Sequence, residues 1–182
     1  MKKILLLLIL LAPVALDAQS IRYRGDVGLQ LGTSLCYWKE YSRYVQTVFP
    51  GAVIYTTHGI EWNETITAGA GVGIGPLYEI NPRTDPIQAK ALGLLTLYAH
   101  FDYAFQPGNS KRPYIGTRVG YDFTLTKQEV GSFPEVGAGI GFRINDRWDI
   151  GAWYMLGFLL GNQGQVGAYL HRPLISISWR FP

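Results

Sequence analysis

Apolar and polar residues alternate one for one along eight stretches of this chain, near 21–34, 52–62, 64–77, 92–105, 113–125, 134–144, 148–159 and 169–181. Period-two alternation puts successive side chains on opposite faces of a β-strand, so each stretch is expected to be a strand with one apolar and one polar face. In the third, Ile66, Ala68, Ala70, Val72 and Ile74 oppose Thr65, Thr67, Gly69, Gly71, Gly73 and Gly75. In the sixth, Val136, Ala138, Ile140 and Phe142 oppose Glu135, Gly137, Gly139, Gly141 and Arg143. The second is less regular, because His58 and Glu61 fall on opposite faces and both faces are mixed. Asn63-Glu64, Gln106 to Arg112 and Asn145 to Arg147 read as short turns, while the connections near 35–51, 76–91, 126–133 and 160–168 are mostly longer.

After residue 3 the only lysines are Lys39, Lys90, Lys111 and Lys127, and all four fall between the alternating stretches. A sheet with one face in water normally carries lysine on that face, so the polar face is expected to be enclosed and the apolar face to meet lipid. No window after the N-terminus holds the ~20 continuous apolar residues of a membrane helix, and a membrane protein without one spans as a closed barrel, since open sheet edges are not satisfied in lipid. The predicted fold is an all-β, eight-stranded antiparallel transmembrane up-and-down β-barrel. Ten strands are an alternative if Tyr41 to Phe49 joins a further hairpin. Strand lengths match the ~9 to 11 tilted residues that cross the hydrocarbon, with some overhang. Short turns on one side and longer loops on the other place both termini in the periplasm.

The polar faces carry Arg24, Asp26, Asp102, Arg118, Asp122, Glu135, Arg143, Asp149 and Arg180, with both signs near balance. Charges in a narrow barrel are tolerated when paired, so an interior ion-pair network is expected, with glycines making room for the arginines. Eight strands enclose only enough space for side chains, giving a filled polar interior and no open pore. Pro173 has no backbone donor, so regular pairing of the last strand is expected to begin after it, leaving His171 and Arg172 at the rim or in the last loop. Lys39, Arg43, Arg83, Lys90, Lys127 and Arg172 then lie in or beside outer loops, solvated or against lipopolysaccharide phosphates.

The N-terminus reads Met1-Lys2-Lys3, an apolar run from Ile4 to Leu11 and small residues around Ala12, Ala15 and Ala18. This is the pattern of a secretory signal peptide over 1–18, leaving the barrel as 19–182. Cys36 is the single cysteine, which excludes an internal disulfide. A net charge of +3, partly from Lys2 and Lys3, gives no support for nucleic-acid binding.

Aromatics on the apolar faces gather near strand ends. Tyr23, Trp62, Phe105, Phe142, Trp148, Trp179 and Phe181 mark one rim, and Phe123, Phe158, Tyr78 and Tyr169 the other, as interfacial girdles do. The last strand sets Ile175, Ile177, Trp179 and Phe181 on one face and ends in an aromatic followed by Pro182. That ending resembles the C-terminal assembly signal of bacterial outer-membrane proteins, in which the aromatic is usually last. With the eight stretches and the signal segment, the mature chain resembles the small OmpA-like and OmpX-like outer-membrane barrels, and Thr57-His58-Gly59 through Gly75 is similar in style to small barrels of the Bacteroides lineage. The resemblance implies an outer-membrane location, outer-membrane lipid and lipopolysaccharide as neighbours, the barrel-assembly machinery as folding partner, a monomer, and a role in envelope structure or surface interaction. It also admits lipid-modifying enzymes.

No residue set is assigned to catalysis, metal or cofactor. Gly69-x-Gly71-x-Gly73-x-Gly75 precedes Pro76 rather than a helix, so it reads as barrel wall and not as a phosphate loop. An acyl-modifying enzyme needs a nucleophile beside a histidine. Ser176 and Ser178 have the opposite parity to His171, and the His-x-Ser spacing of barrel deacylases is absent; His100, two residues before Asp102, reads as an interior hydrogen-bonded residue. A soluble lipocalin-like carrier would invert the faces, against the lysine-free strands and the terminal Trp179-Arg180-Phe181.

Overall fold

Eight antiparallel strands follow one another round a closed sheet in the computed structural model, which describes residues 21–40, 43–81, 88–125, 132–160 and 166–181. They are β1 (Ile21–Glu40), β2 (Arg43–Trp62), β3 (Ile66–Asn81), β4 (Gln88–Ala104), β5 (Arg112–Thr124), β6 (Phe133–Arg143), β7 (Trp148–Leu160) and β8 (Val166–Phe181). The barrel closes where β8 pairs with β1, from Gly25 opposite Phe181 to Trp38 opposite Ala168. The signal segment 1–18, Arg83 and Lys127 lie outside the described residues.

Three expectations are corrected. Residues 35–51 do not form a loop: β1 and β2 are each 20 residues long, paired from Ile21 opposite Trp62 up to Glu40 opposite Arg43. Alternation persists there, with Ser34, Cys36, Thr47 and Phe49 buried inside, so Arg43 to Phe49 extends β2 and the strand number is eight. Lys39 and Lys90 therefore fall within strand ends rather than between strands. Pairing of β8 also begins before Pro173, which sits opposite Tyr154 of β7. Its missing donor is absorbed by a break in the ladder to β1, which resumes only at Leu35 opposite His171.

Turn chemistry fixes the end that bears the short hairpins. Asn63 and Glu64 both have positive φ, 49° and 57°, as the two central residues of the favoured tight hairpin turn require. Glu64 is held there by its carbonyl, which accepts from Arg112 Nη1 at 3.1 Å and Arg143 Nη1 at 3.2 Å. At the β6–β7 turn the Asn145 side-chain oxygen accepts from the backbone N–H of Arg147 and Trp148.

The faces divide as alternation requires. Ile140 is 65% exposed and Ile175 62%, with Ile54, Val119 and Ile74 also on the outside. The interior contains most of the charge, but it is not polar throughout, which corrects the expectation of a uniformly polar filling. Toward the end bearing the long β1–β2 hairpin it is apolar: Cys36, Phe49, Val53, Leu77, Leu92, Leu94, Phe133, Leu159, Ala168 and Leu170 pack into one buried cluster. Glycines line the wall where large rings lie flat against it. A Cβ at Gly141 would enter the Tyr114 ring and one at Gly139 the Trp153 indole.

Candidate functional site

Three layers of side chains fill the barrel beneath the apolar cluster, and each is built by residues from strands far apart in sequence. In the lowest, Glu61 of β2 is 1% exposed and accepts from three arginines: Arg22 Nε at 2.9 Å, Arg24 Nη1 at 3.0 Å and Arg143 Nη1 at 3.2 Å. Arg24 also donates to Asp149 at 2.7 Å, and Asp149 accepts from Arg180 at 2.6 Å. Asp26 lies 3.5 Å from Arg24 and 3.6 Å from Arg180, so the carboxylates and guanidiniums alternate in a closed mesh. Charges so arranged compensate one another's desolvation.

The middle layer departs from the expected network. Asp102 pairs with His100, Oδ2 to Nδ1 at 3.1 Å, rather than with an arginine. Arg118 has no ion-pair partner among the described residues. Its guanidinium lies 3.7 Å over the Trp153 ring and 5.0 Å from the Tyr98 centroid, a cation–π cradle. Beside it is a polar cavity of about 20 Å³, lined by Asp26, Asp102 and Arg118 among others. That space suits about one water molecule, and Asp102 Oδ1 and Arg118 Nε are without protein hydrogen-bond partners.

The upper polar layer contains the clearest correction. Arg172 does not lie in a loop; it is 3% exposed inside the barrel, donating to Glu135 at 2.6 Å and also to Asp122. It shares the inward face of β8 with Ser176, Ser178 and Arg180, and alternation carried back through Pro173 identifies it. Glu61 and Arg112 were the other omissions, Glu61 concealed by the mixed faces of β2 and Arg112, 3% exposed, by its place at the end of a stretch read as a turn. The apolar cluster caps this layer, with a cavity of about 10 Å³ among Phe49, Leu92, Phe133 and Leu170.

The outer surface carries the aromatics. Tyr23, Phe105, Phe142, Trp148 and Trp179 are exposed, and Trp62, Phe123, Phe158 and Phe181 are half-buried on the same side of the sheet. Trp179 stacks on Phe181, centroids 5.8 Å apart, at one rim, and Phe158 meets Tyr169 edge-on at 6.0 Å toward the other. Ile175, Ile177, Trp179 and Phe181 form one outward row.

Two histidines also face outward. His58 Nδ1 is 2.5 Å from the Tyr23 hydroxyl and its Nε2 is 3.2 Å from Thr56 Oγ1, while Thr56 donates to the Asp26 carbonyl at 2.9 Å. His171 Nδ1 is 2.5 Å from the Tyr154 hydroxyl. Among the described residues no cluster of His, Cys, Asp and Glu has the arrangement of a metal site.

No protein-family model matches the sequence, and no curated protein does. Among solved structures the chain is similar to the crystal structure of Neisserial surface protein A, with a TM-score of 0.53 at 11% identity, over 88% of this chain and 99% of that one. It is also similar to the outer membrane enzyme PagL, with a TM-score of 0.47 at 16% identity over 86% and 99%. A third is Ail, the attachment invasion locus protein of Yersinia pestis, with a TM-score of 0.48 at 14% identity over 86% and 99%. At such identities the likeness concerns architecture: the chain has the fold of the small eight-stranded outer-membrane β-barrels.

Proposed function

We propose that this protein is a non-enzymatic integral outer-membrane barrel, closed to ions and solutes, that serves envelope structure and meets partners through its outer end. The observation that carries this reading is the interior, filled from one end to the other by an arginine–carboxylate mesh, an aromatic cradle and an apolar cluster. A barrel so filled offers side-chain packing where a porin offers a channel. The 20-residue strands of β1 and β2 exceed the bilayer crossing and supply a hairpin for surface contact.

The same reading includes export by the 1–18 segment and recognition of Ile175, Ile177, Trp179 and Phe181 by the barrel-assembly machinery. It also includes a monomeric state among outer-membrane lipid and lipopolysaccharide, and the finer likeness to OmpX-like and Bacteroides-type barrels.

The competing reading is an enzyme acting on lipid acyl chains, and Thr56–His58–Tyr23 is the arrangement that invites it. If the Tyr23 hydroxyl donates to Nδ1, the imidazole proton sits on Nε2 and points at Thr56 Oγ1, whose own proton goes to the Asp26 carbonyl. Protons then run toward the hydroxyl, the reverse of what a general base requires. The test is a pair of measurements on cells with and without the protein: lipid A and phospholipid mass spectra, and single-channel recording of the purified barrel. Unchanged spectra and no conductance are expected. A lost or gained acyl chain overturns the non-enzymatic reading, and stable conductance steps overturn the closed one.

A further inference from the structure

The barrel wall is notched at the end that bears the short hairpins. β8 reaches β1 with Phe181 opposite Gly25, while Ile21 to Arg24 of β1 are paired with β2 alone among the described residues. On the far side of β8 stands the β6–β7 turn, whose Arg147 carbonyl accepts from the Arg180 N–H at 2.6 Å. Between the overhanging start of β1 and that turn lies a cleft of about 530 Å³. Because the wall stops there, the inward and outward faces of the sheet meet in one space. Arg22, Arg24 and Glu61 line it from the inward face, and Tyr23, Trp179 and Phe181 from the outward one.

The charged side of the cleft is positive where it is open. Glu61 is buried and already accepts from Arg22, Arg24 and Arg143. Arg22 directs Nε and Nη2 to a single Glu61 oxygen, at 2.9 and 2.5 Å, and its side chain is 53% exposed with Nη1 unpartnered among the described residues. Glu64 is 3.8 Å from Arg22 but is bonded to Arg112 at 2.8 Å. Arg147 lines the cleft and is exposed, and its guanidinium has no partner among the described residues. Asp146, the remaining carboxylate of the lining, is 3.7 Å from Arg112, a cation outside the cleft. Guanidiniums match the oxygens of a phosphate, and aromatic rings at the end of a membrane strand sit at the level of the headgroups. A free anion would gain nothing from the rings, and a wholly apolar molecule nothing from the arginines; a lipid with a phosphate head uses both.

We infer that this notch binds the phosphate headgroup of a membrane lipid, with Arg147 and Arg22 donating to phosphate oxygens and the lipid body lying against Tyr23, Trp179 and Phe181. The inference rests on the reading that the apolar outer face meets lipid.

The experiment is native mass spectrometry of the detergent-folded protein, titrated separately with phosphatidylglycerol and with a diacylglycerol of the same chains, which lacks the phosphate. Wild type is expected to retain one phosphatidylglycerol at about tenfold lower concentration than diacylglycerol, the scale of one hydrogen bond to a charged group. Arg147→Gln and Arg22→Gln should each lose most of that preference. Lys111→Gln, which removes an exposed cation of the β4–β5 turn at the same end but outside the cleft, should keep it. Each variant is first shown to be folded by its shifted mobility in unboiled SDS gels. Equal retention of the two lipids, undiminished preference in folded Arg147→Gln and Arg22→Gln, or an equal loss in Lys111→Gln overturns the site. Inorganic phosphate added at the concentration of the lipid should not displace it; displacement would make the notch a site for free anions and overturn the lipid as its occupant. A folded, membrane-embedded protein that binds neither lipid refutes the site alone, whereas a protein soluble without detergent refutes the reading beneath it.

Discussion

Glu61 is the side chain on which most of the lower layer depends. It is almost fully buried and accepts from Arg22, Arg24 and Arg143. Glu61→Gln keeps its size and removes its charge, stranding guanidiniums whose desolvation it offset. The expected cost is about 3–5 kcal/mol, read from urea unfolding in lipid bilayers. Asp146→Asn is the contrast: Asp146 is 3.7 Å from Arg112 but its side chain is 85% exposed, and its loss should cost less than about 1 kcal/mol. Equal effects would show that the mesh contributes nothing beyond surface pairing. Gly141 tests the aromatic layer in the same assay. A methyl there runs into the Tyr114 ring, so Gly141→Ala should cost about 1–3 kcal/mol by overpacking, although alanine is ordinarily tolerated in a strand. The inward position of most charged residues was legible from parity alone. Their partners were not, because pairing inside a barrel joins residues such as Arg24 and Asp149, 125 positions apart, and no local pattern encodes that.

At the scale of the strand, alternation identified every element and failed chiefly at the outer ends. At β8 the cause was Pro173, whose missing donor was expected to hold off the pairing. Pro50 and Pro173 in fact sit within strands, each where one of its two ladders is interrupted, β2 to β3 between Val48 and Gly51 and β8 to β1 between His171 and Leu174. A closed sheet gives each strand two neighbours, so one intact ladder keeps a proline in place where an isolated hairpin would break. The face assignment itself is open to a depth test. Ile140 lies in a cross-strand row with Tyr103, Ile115, Ala152 and Ile175 and is the most exposed of the large apolar side chains, at 65%. Ile140→Arg should cost about 2–4 kcal/mol in bilayers, and Ile144→Arg, just past the end of β6 at Arg143, about 0–1 kcal/mol. If the two substitutions cost the same, the outward face is not set in a membrane at the depth proposed.

For the whole molecule, the consequential feature is that closure occurs twice. On the proposed reading the apolar cluster around Phe49, Leu94, Phe133 and Leu170 excludes ions by offering them no partner, and the polar layers exclude them by filling the space with charged and aromatic side chains. The first barrier was not legible in the sequence, because part of it comes from strand ends read otherwise: Cys36 and Phe49 lie in what read as a connection, and Leu77, Phe133 and Leu170 at element boundaries. Two barriers in series make a specific prediction. Wild type should show no current steps in planar bilayers. Phe49→Ala with Phe133→Ala opens the apolar layer, at a stability cost of about 3–5 kcal/mol for each ring, yet should remain silent because Arg172 still joins Asp122 and Glu135 below it. Arg172→Ala alone breaks that lower link and should also remain silent beneath an intact apolar layer. Only the triple variant, confirmed as folded by its mobility in unboiled SDS gels, should conduct. Current from the double variant would mean that the apolar cluster is the sole seal and that the buried ion pairs beneath it leave a wet path. Silence in the folded triple variant would place the decisive barrier lower still, in the mesh around Glu61 and Asp149, where three arginines converge on one carboxylate.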